Sequence, residues 1–174
     1  LEADIADFRE RRGLERVVVV NLASTEPVLP RDPRLTDPDA LEGLLEAGEE
    51  QLRASTLYAW AAVSAGCPFI NFTPNRGSLL PGIQSRALAK GVPIMGNDGK
   101  TGETLVKSAL APMFHDRALR VLSWQGYNML GDRDGEVLSD ELHKEAKVAS
   151  KDALLPQILG YPLHTHVGID YVPS

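Results

Sequence analysis

The chain has 174 residues, which suits one globular domain or the larger part of a two-domain protein. With 43% hydrophobic and 24% charged residues its composition is that of an ordinary soluble protein, and no stretch approaches the ~20 apolar residues of a membrane helix. A net charge of −6 argues against nucleic acid as a partner, because duplex phosphates call for a clustered basic face. The single cysteine, Cys67, fits a small buried residue rather than a nucleophile, and without a second cysteine or a signal peptide we expect a cytoplasmic protein.

The first part of the chain alternates helical and strand patterns. A helical pattern over 1–12 ends at Gly13 and precedes a β-branched run at 17–22, which is typical of a strand buried on both faces. Four prolines in 27–40 indicate an irregular surface connection. Helical spacing then predicts two helices between 39 and 65, of which the second has low polarity and is expected to be buried.

Two more strand patterns follow at 67–73 and 92–96, separated by a helical pattern over 78–90 that Gly91 closes. Three strand–helix passes of this kind predict a parallel sheet with right-handed crossovers, and so an α/β fold.

The second part begins with a predicted helix at 101–117 and a predicted strand at 118–123. Polarity rises sharply over 126–135, and residues 136–160 again have a helical pattern. The period-two alternation of 163–172 predicts a final strand.

The segment from Pro93 to Thr104 has the outline of an anion site. Three glycines between a strand and a helix allow several backbone N–H groups to converge where the helix begins, and a helix N-terminus carries roughly half a positive charge. Hydroxyl and ammonium groups stand nearby: Thr101, Thr104, Lys100 and Lys107. The alternative is an ordinary βα loop, since glycine-rich turns are common and the known phosphate-loop spacings are not matched.

Polar side chains also follow the first two strands, at 23–27 and at 74–75. These are the carboxyl ends at which open parallel sheets bind ligands, although a capped turn explains the same residues. Asp132 and Asp134, together with Asn97 and Asp98, could hold a ribose or a nicotinamide, or could serve only as turn residues.

Lys147 and Lys151 are four residues apart in a helical pattern and therefore share a face. If both are buried, desolvation and like charge lower their pKa values, so that one can take a proton while the other stabilises an enolate. The alternative is a solvated face paired with Glu145 and Asp152. His143, His164 and His166 are candidate metal ligands, and His164 and His166 would lie on one strand face, but no third ligand has suitable spacing, so we predict no metal site.

Five blocks of this sequence resemble successive blocks of the myo-inositol-1-phosphate synthase family, in the family's order and near its spacing. The blocks are Ala23–Glu26, Phe69–Asn71 with Pro74–Asn75, Gly96–Thr104, Tyr127–Gly135 and Lys147–Lys151. The similarity runs from about Val17 to the end of the chain, and the chain resembles a middle segment of the family's proteins. It implies that residues 1–123 are part of an NAD-binding Rossmann-like domain with a parallel sheet. Residues 124–174 would be the start of an α+β catalytic and tetramerisation domain. The strand at 163–172 would belong to the sheet of this second domain.

The resemblance implies an enzyme of inositol and phospholipid biosynthesis that acts as a cytoplasmic homotetramer. The family uses tightly bound NAD to oxidise glucose 6-phosphate, closes the ring by an intramolecular aldol step and reduces the product to inositol phosphate, a net isomerisation. Two other hypotheses stay open: a non-catalytic ligand-binding or assembly segment, and a sugar-phosphate dehydrogenase that releases NADH.

The resemblance also assigns residues. Those that would contact NAD are Leu22, Ala23, Ser24, Thr25, Phe72, Thr73, Asp98, Thr101, Asp132, Arg133 and Asp134. Those that would bind the substrate phosphate are Thr101, Gly102, Glu103 and Thr104. Those that would act in catalysis are Lys147, Lys151, Asp98 and Lys100. Many relatives have Asp-Asp at the position of Asn97-Asp98 and Gln at the position of Glu103, so Glu103 is expected to meet the phosphate only through its backbone N–H.

We predict that Lys147→Ala and Lys151→Ala each lower kcat of the complete enzyme about 10²- to 10³-fold while NAD still binds, because each removes a group that acts on transition-state charge. Steady-state turnover and an NAD titration measure the two effects. Near-normal turnover in both variants would mark the pair as a solvated helix face.

Overall fold

The computed structural model describes residues 1–99, 102–131, 135–136 and 154–173. Its contacts divide the chain into two compact units, residues 1–99 and residues 100–174. The predicted domain boundary between 123 and 124 stays a prediction. Among the described residues, no helix combines the length and the apolar character needed to cross a membrane.

The first unit alternates helices and strands, as the sequence predicts. Its helices are α1 (Glu2–Arg11), α2 (Pro38–Glu46), α3 (Ala54–Ser64) and α4 (Pro81–Lys90), with short 3-10 turns at Pro33–Thr36 and Gly77–Leu79. Its strands are β1 (Val19–Asn21), β2 (Phe69–Asn71) and β3 (Ile94–Met95). They form one sheet in the order β1-β2-β3 with both pairs parallel, so the predicted parallel sheet is confirmed.

Local signals set the helix ends in this unit. Asp37 caps α2 by accepting a hydrogen bond from the Ala40 N–H at 2.9 Å, and Pro38 occupies the first helical position, where its missing N–H costs nothing. Gly91 closes α4 in the left-handed conformation with a φ of 65°, as its position in the sequence predicts.

The core of the first unit lies between the sheet and helices α2, α3 and α4. Helix α3 contributes seven buried residues, which confirms its predicted burial. Four of them, Ala59, Trp60, Ala62 and Val63, belong to the hydrophobic core cluster together with Leu41, Phe69 and Ile83, which are fully buried. Cys67 lies in the same cluster, and burial raises the pKa of its thiol, which agrees with a structural rather than a nucleophilic role.

The prediction that the first strand is buried on both faces is wrong for the residues the structure describes. Val19 packs against the core cluster, whereas Val18 and Val20 are exposed. A β-branched run reports strand propensity, and that propensity does not say how many faces of the strand are covered.

The second unit contains α5 (Gly102–Asp116), β4 (Ser123–Leu130), helical turns at 154–159 and β5 (His164–Tyr171). The two strands pair in parallel from Ser123 opposite His164 to Leu130 opposite Tyr171, so the predicted final strand and its place in a second sheet are confirmed. Its small core joins Ala111 of α5 to Leu155 and Leu159. Most of the helix predicted at 136–160 lies outside the described residues.

The strand predicted at 118–123 is misplaced. Ala118 has a positive φ of 53° in the turn that follows α5, and Leu119 and Leu122 are exposed in an irregular connection. Strand β4 instead begins at Ser123 and runs through 130, with burial alternating along its length. The apolar run supplied the strand propensity, but pairing with β5, some 40 residues away, decides which residues form the strand.

We predict that Ile83→Ala lowers the free energy of unfolding by about 2–5 kcal/mol, because it leaves a cavity in the core beneath the sheet. Leu88, on the same helix but 83% exposed against 0% for Ile83, provides the matched control. Leu88→Ala should change stability by no more than about 0.5 kcal/mol. Urea unfolding measures both, and equal losses would contradict this assignment of the core.

Candidate functional site

The three strands of the first unit end at one edge of its sheet, since parallel strands bring their carboxyl ends together. The loops that leave this edge are 22–26 after β1, 72–75 after β2 and 96–99 after β3. They contain seven of the residues predicted to contact a cofactor: Leu22, Ala23, Ser24, Thr25, Phe72, Thr73 and Asp98.

Two buried asparagines, Asn21 and Asn71, end β1 and β2 side by side in the register of the sheet. The Asn21 amide Nδ2 donates to Asn71 Oδ1 at 3.2 Å, and the backbone N–H of Phe72 donates to the Asn21 carbonyl at 3.0 Å. Asn21 Oδ1 also accepts from the Ala23 N–H at 3.2 Å. The two strands are thus joined by side chains as well as by the ladder, at the point where both loops begin.

Asn71 makes most of the hydrogen bonds in this network. Besides the bond from Asn21, its Oδ1 accepts from the Thr73 N–H at 3.2 Å and from Thr73 Oγ1 at 2.7 Å. Its Nδ2 donates to the backbone carbonyl of Asn75. Both ends of the amide are therefore used, and the 72–75 loop is folded back on the strand that precedes it.

Asn75 extends the network to the first loop. Its Nδ2 donates to the Ser24 carbonyl at 3.0 Å, and its Oδ1 accepts from the Glu26 N–H at 2.8 Å. We call Asn21, Asn71 and Asn75 the asparagine bracket. Satisfied buried networks of this kind fix one conformation, so the bracket holds the 22–26 and 72–75 loops in a set relation to each other.

The bracket determines which side chains the loops present. Thr25 and Thr73 are buried, so their side chains position the loops rather than face solvent. Leu22 is 72% exposed and Phe72 is 49% exposed, immediately after the strand ends. Each of two neighbouring loops thus presents an exposed apolar side chain beside a fixed polar backbone, and apolar contacts combined with a few placed polar groups are typical of ligand sites.

The third loop is held against the second. The side-chain amide of Asn97 donates to the Pro74 carbonyl at 3.1 Å, and the Gly99 N–H donates to the Phe72 carbonyl at 3.3 Å. Gly96 allows this approach, because a Cβ added there would lie 2.5 Å from the Asn71 carbonyl oxygen and its φ is +130°. Asp98 accepts from the Gly99 N–H at 2.7 Å, which is the turn chemistry that the sequence left as an alternative for it.

Sequence reasoning missed the role of Glu26. Its carboxylate accepts from the Ser55 N–H at 2.9 Å and from the Ser55 hydroxyl at 2.5 Å, in the first turn of α3. The chain thus supplies its own anion to the N-terminal end of this helix. A carboxylate that caps a helix 29 residues later has no local sequence signature, and the Pro27 beside it suggested only a turn.

In the second unit, Gly102, Glu103 and Thr104 open α5, where the first N–H groups of a helix lack partners within it. The Glu103 carboxylate accepts from the Lys107 ammonium at 2.9 Å and from the Trp124 indole N–H at 3.2 Å. The expectation that Lys107 adds its charge to an anion site is therefore wrong, because its fully buried ammonium is paired with Glu103.

Several predicted site residues lie outside the described residues: Lys100, Thr101, Asp132, Arg133, Asp134, Lys147 and Lys151. Within the described ranges, no three His, Cys, Asp or Glu side chains converge as metal ligands. His166 instead shares a 2.9 Å hydrogen bond with the Tyr127 hydroxyl across the second sheet.

An NAD-binding family model described as myo-inositol-1-phosphate synthase matches residues 1–165. The match confirms the predicted cofactor, NAD. Inositol-3-phosphate synthase 1 of Bacteroides thetaiotaomicron is 38% identical over 99% of this chain and 42% of its own length. The human inositol-3-phosphate synthase 1 is 37% identical over 91% of this chain and 28% of its own length.

Solved structures agree with these sequence matches. The crystal structure of inositol-3-phosphate synthase from Caenorhabditis elegans superposes with a TM-score of 0.92 at 30% identity, covering 99% of this chain and 35% of that one. A synthase-related protein from Thermotoga maritima gives 0.77 at 25% identity, covering 98% of this chain and 46% of that one. The predicted α/β fold is confirmed, and the chain spans less than half the length of these relatives.

We predict that Asn71→Asp destabilises the protein by at least about 1–3 kcal/mol. The change places a charge in the bracket and replaces the group that donates to Asn75 with an acceptor. Gln84→Glu makes the same change from amide to acid on the exposed surface of α4 and is the control. Urea unfolding at neutral pH measures the free energy of unfolding of both variants. If Asn71→Asp were as stable as Gln84→Glu, the asparagine bracket would not stabilise the loops.

Proposed function

The chain belongs to the myo-inositol-1-phosphate synthase family, and on that premise we propose that the complete protein is an inositol-3-phosphate synthase. It would convert glucose 6-phosphate into inositol phosphate by oxidation, ring closure and reduction. The observation that carries the proposal is the family match over residues 1–165. The loop arrangement at the sheet edge supports it independently, because that edge is where an α/β sheet binds a nucleotide.

The residues proposed to hold NAD fall into two groups by burial. Leu22 and Phe72 would make apolar contacts, while the exposed Ala23 and Ser24 would offer backbone and hydroxyl groups. The buried Thr25 and Thr73 would act by fixing the loops, and Asp98 by its carboxylate. Asp132, Arg133 and Asp134 are proposed to contact NAD by resemblance alone. So is Thr101, which is also proposed to bind the substrate phosphate. When bound, NAD takes up a hydride from the substrate and later returns it.

The first turn of α5 is proposed to bind the substrate phosphate through Thr101, Gly102, Glu103 and Thr104. The first N–H groups of a helix have no partners within the helix and carry a partial positive charge, which supports this role. Glu103 would contribute its backbone N–H, since its carboxylate is engaged by Lys107 and Trp124. Charge-assisted bonds to a phosphate contribute roughly 1.5–3 kcal/mol each.

Proton transfer is proposed for Lys147 and Lys151, with Asp98 and Lys100 assisting. A lysine of lowered pKa can take the proton from the carbon beside a carbonyl, and a charged lysine can stabilise the enolate that then closes the ring. The four-residue spacing of Lys147 and Lys151 in a helical pattern supports their acting together.

We propose further that the protein works in the cytoplasm as a homotetramer, in the supply of inositol for phospholipids. Exposed apolar side chains on the outer face of β4, Tyr127 and Met129, support a subunit contact on that face.

We predict that the complete protein, supplied with glucose 6-phosphate and NAD, accumulates inositol phosphate without steady growth of NADH absorbance, because the hydride returns to the product. Phosphate release after periodate oxidation measures the product, and absorbance at the NADH band measures the cofactor. Steady NADH growth would instead indicate a sugar-phosphate dehydrogenase. Binding of NAD with neither product would favour a non-catalytic ligand-binding segment.

A further inference from the structure

We propose that Lys107 is a positioning residue that holds the Glu103 carboxylate away from the substrate phosphate. The inference rests on the proposed phosphate role of the first turn of α5. Lys107 would thus affect substrate binding indirectly, because its ammonium is 0% exposed and cannot contact the substrate itself.

The position of Glu103 explains why a positioning residue is required. It is in the first turn of α5, next to Gly102 and Thr104, where an acidic side chain can turn back and bind the first N–H groups of its own helix. A carboxylate that did so would occupy the donors proposed for the phosphate and would repel a phosphate dianion. Glu103 must therefore be kept in another orientation if this turn is to bind an anion from solution.

The structure shows that orientation. Lys107 lies one helical turn further along the same face of α5, and its Nζ is 2.9 Å from Glu103 Oε1. The same oxygen accepts from the Trp124 indole N–H at 3.2 Å. The ammonium also lies 5.9 Å from the centroid of the Trp124 ring, within range of a cation–π contact.

Strand β4 is shaped to receive this carboxylate. Gly126 follows Trp124 on the same face of the strand, and a Cβ added to it would lie 2.0 Å from Glu103 Oε1 and 2.4 Å from its Cδ. A glycine inside a strand weakens the strand, so its presence here points to a close approach that a side chain would block. Glu103 is thus seated between Lys107, Trp124 and the bare backbone at Gly126, pointing into the second unit.

Loss of the lysine should therefore act on substrate binding. In Lys107→Met the carboxylate loses the ammonium that pairs with it in a nearly dry site, and removing one partner of a buried ion pair is strongly unfavourable. Rotation toward the first-turn N–H groups relieves it, and there it competes with the phosphate. Changing Glu103 to Gln at the same time removes the competing charge, so the double variant should bind phosphate again.

The test uses the complete protein with Lys107→Met, Glu103→Gln and the combination Glu103→Gln/Lys107→Met. Lys90→Met, which removes a lysine from the exposed end of α4, is the control for charge. We expect Lys107→Met to raise KM for glucose 6-phosphate about 10- to 100-fold with kcat nearly unchanged, because binding of the phosphate is weakened equally in the ground state and the transition state. The double variant should recover most of that loss, and Lys90→Met should match the unaltered protein.

A Lys107→Met variant whose melting temperature falls while its KM stays the same would overturn the proposal, because the pair would then be a structural ion pair and nothing more. A double variant that binds no better than Lys107→Met would overturn it as well, since repulsion by Glu103 would not be the cause. If Lys107→Met does not fold, the double variant, which lacks both charges of this ion pair, must still bind glucose 6-phosphate with a nearly normal KM, and a KM raised about 10-fold or more in that variant would overturn the proposal.

Calorimetric titration with inorganic phosphate separates this inference from the proposed function. If phosphate binds the unaltered protein and binds Lys107→Met more weakly, the positioning role stands even if glucose 6-phosphate is not turned over. If phosphate does not bind the unaltered protein, the inference and the proposed phosphate site both fail. Thr104→Val tests the proposed phosphate site directly and should raise KM for glucose 6-phosphate. An unchanged KM with normal turnover would show that Thr104 is not part of the site, without affecting the other proposed residues.

Discussion

The hydrogen bond between the side chains of Asn21 and Asn71 is the interaction on which the candidate cofactor site depends. It joins β1 to β2 where their ladder ends, and Asn71 and Asn75 carry the connection into both following loops. Buried amides are costly unless each donor and acceptor is paired, so the network constrains the loops strongly. The hydrophobic core supports this arrangement because Phe69, two residues before Asn71, is buried in the cluster that residues of α3 and α4 also form.

Both units contain buried polar groups that fix the segments proposed to bind a ligand. In the first, three asparagines hold two loops so that Leu22 and Phe72 face outward. In the second, Lys107 and Trp124 hold the one acidic side chain at the start of α5. The polar side chains of each unit thus act on backbone geometry, and the ligand would meet main-chain donors and a few exposed side chains. Substitutions of these buried residues should therefore weaken ligand binding even though the residues themselves do not contact the ligand.

The sequence predicts the repeating elements well and the long-range polar contacts poorly. Helices α2 to α5 and the parallel sheet follow from periodicity and from Gly91, which are local signals. The strand at 118–123 was misplaced because pairing between distant segments chose β4. Glu26 capping α3 and the Asn21–Asn71 bond join residues 29 and 50 positions apart, and no local pattern reports such contacts.

We propose that NAD binds on the loops that the asparagine bracket holds. Hydrogen exchange of the complete protein, measured by mass spectrometry with and without saturating NAD, tests it directly, because a bound cofactor slows exchange in the segments it covers. We expect slower exchange in peptides covering 22–26, 72–75 and 96–99, with little change in α1. Tight binding of NAD with no change in those three loops would contradict the account.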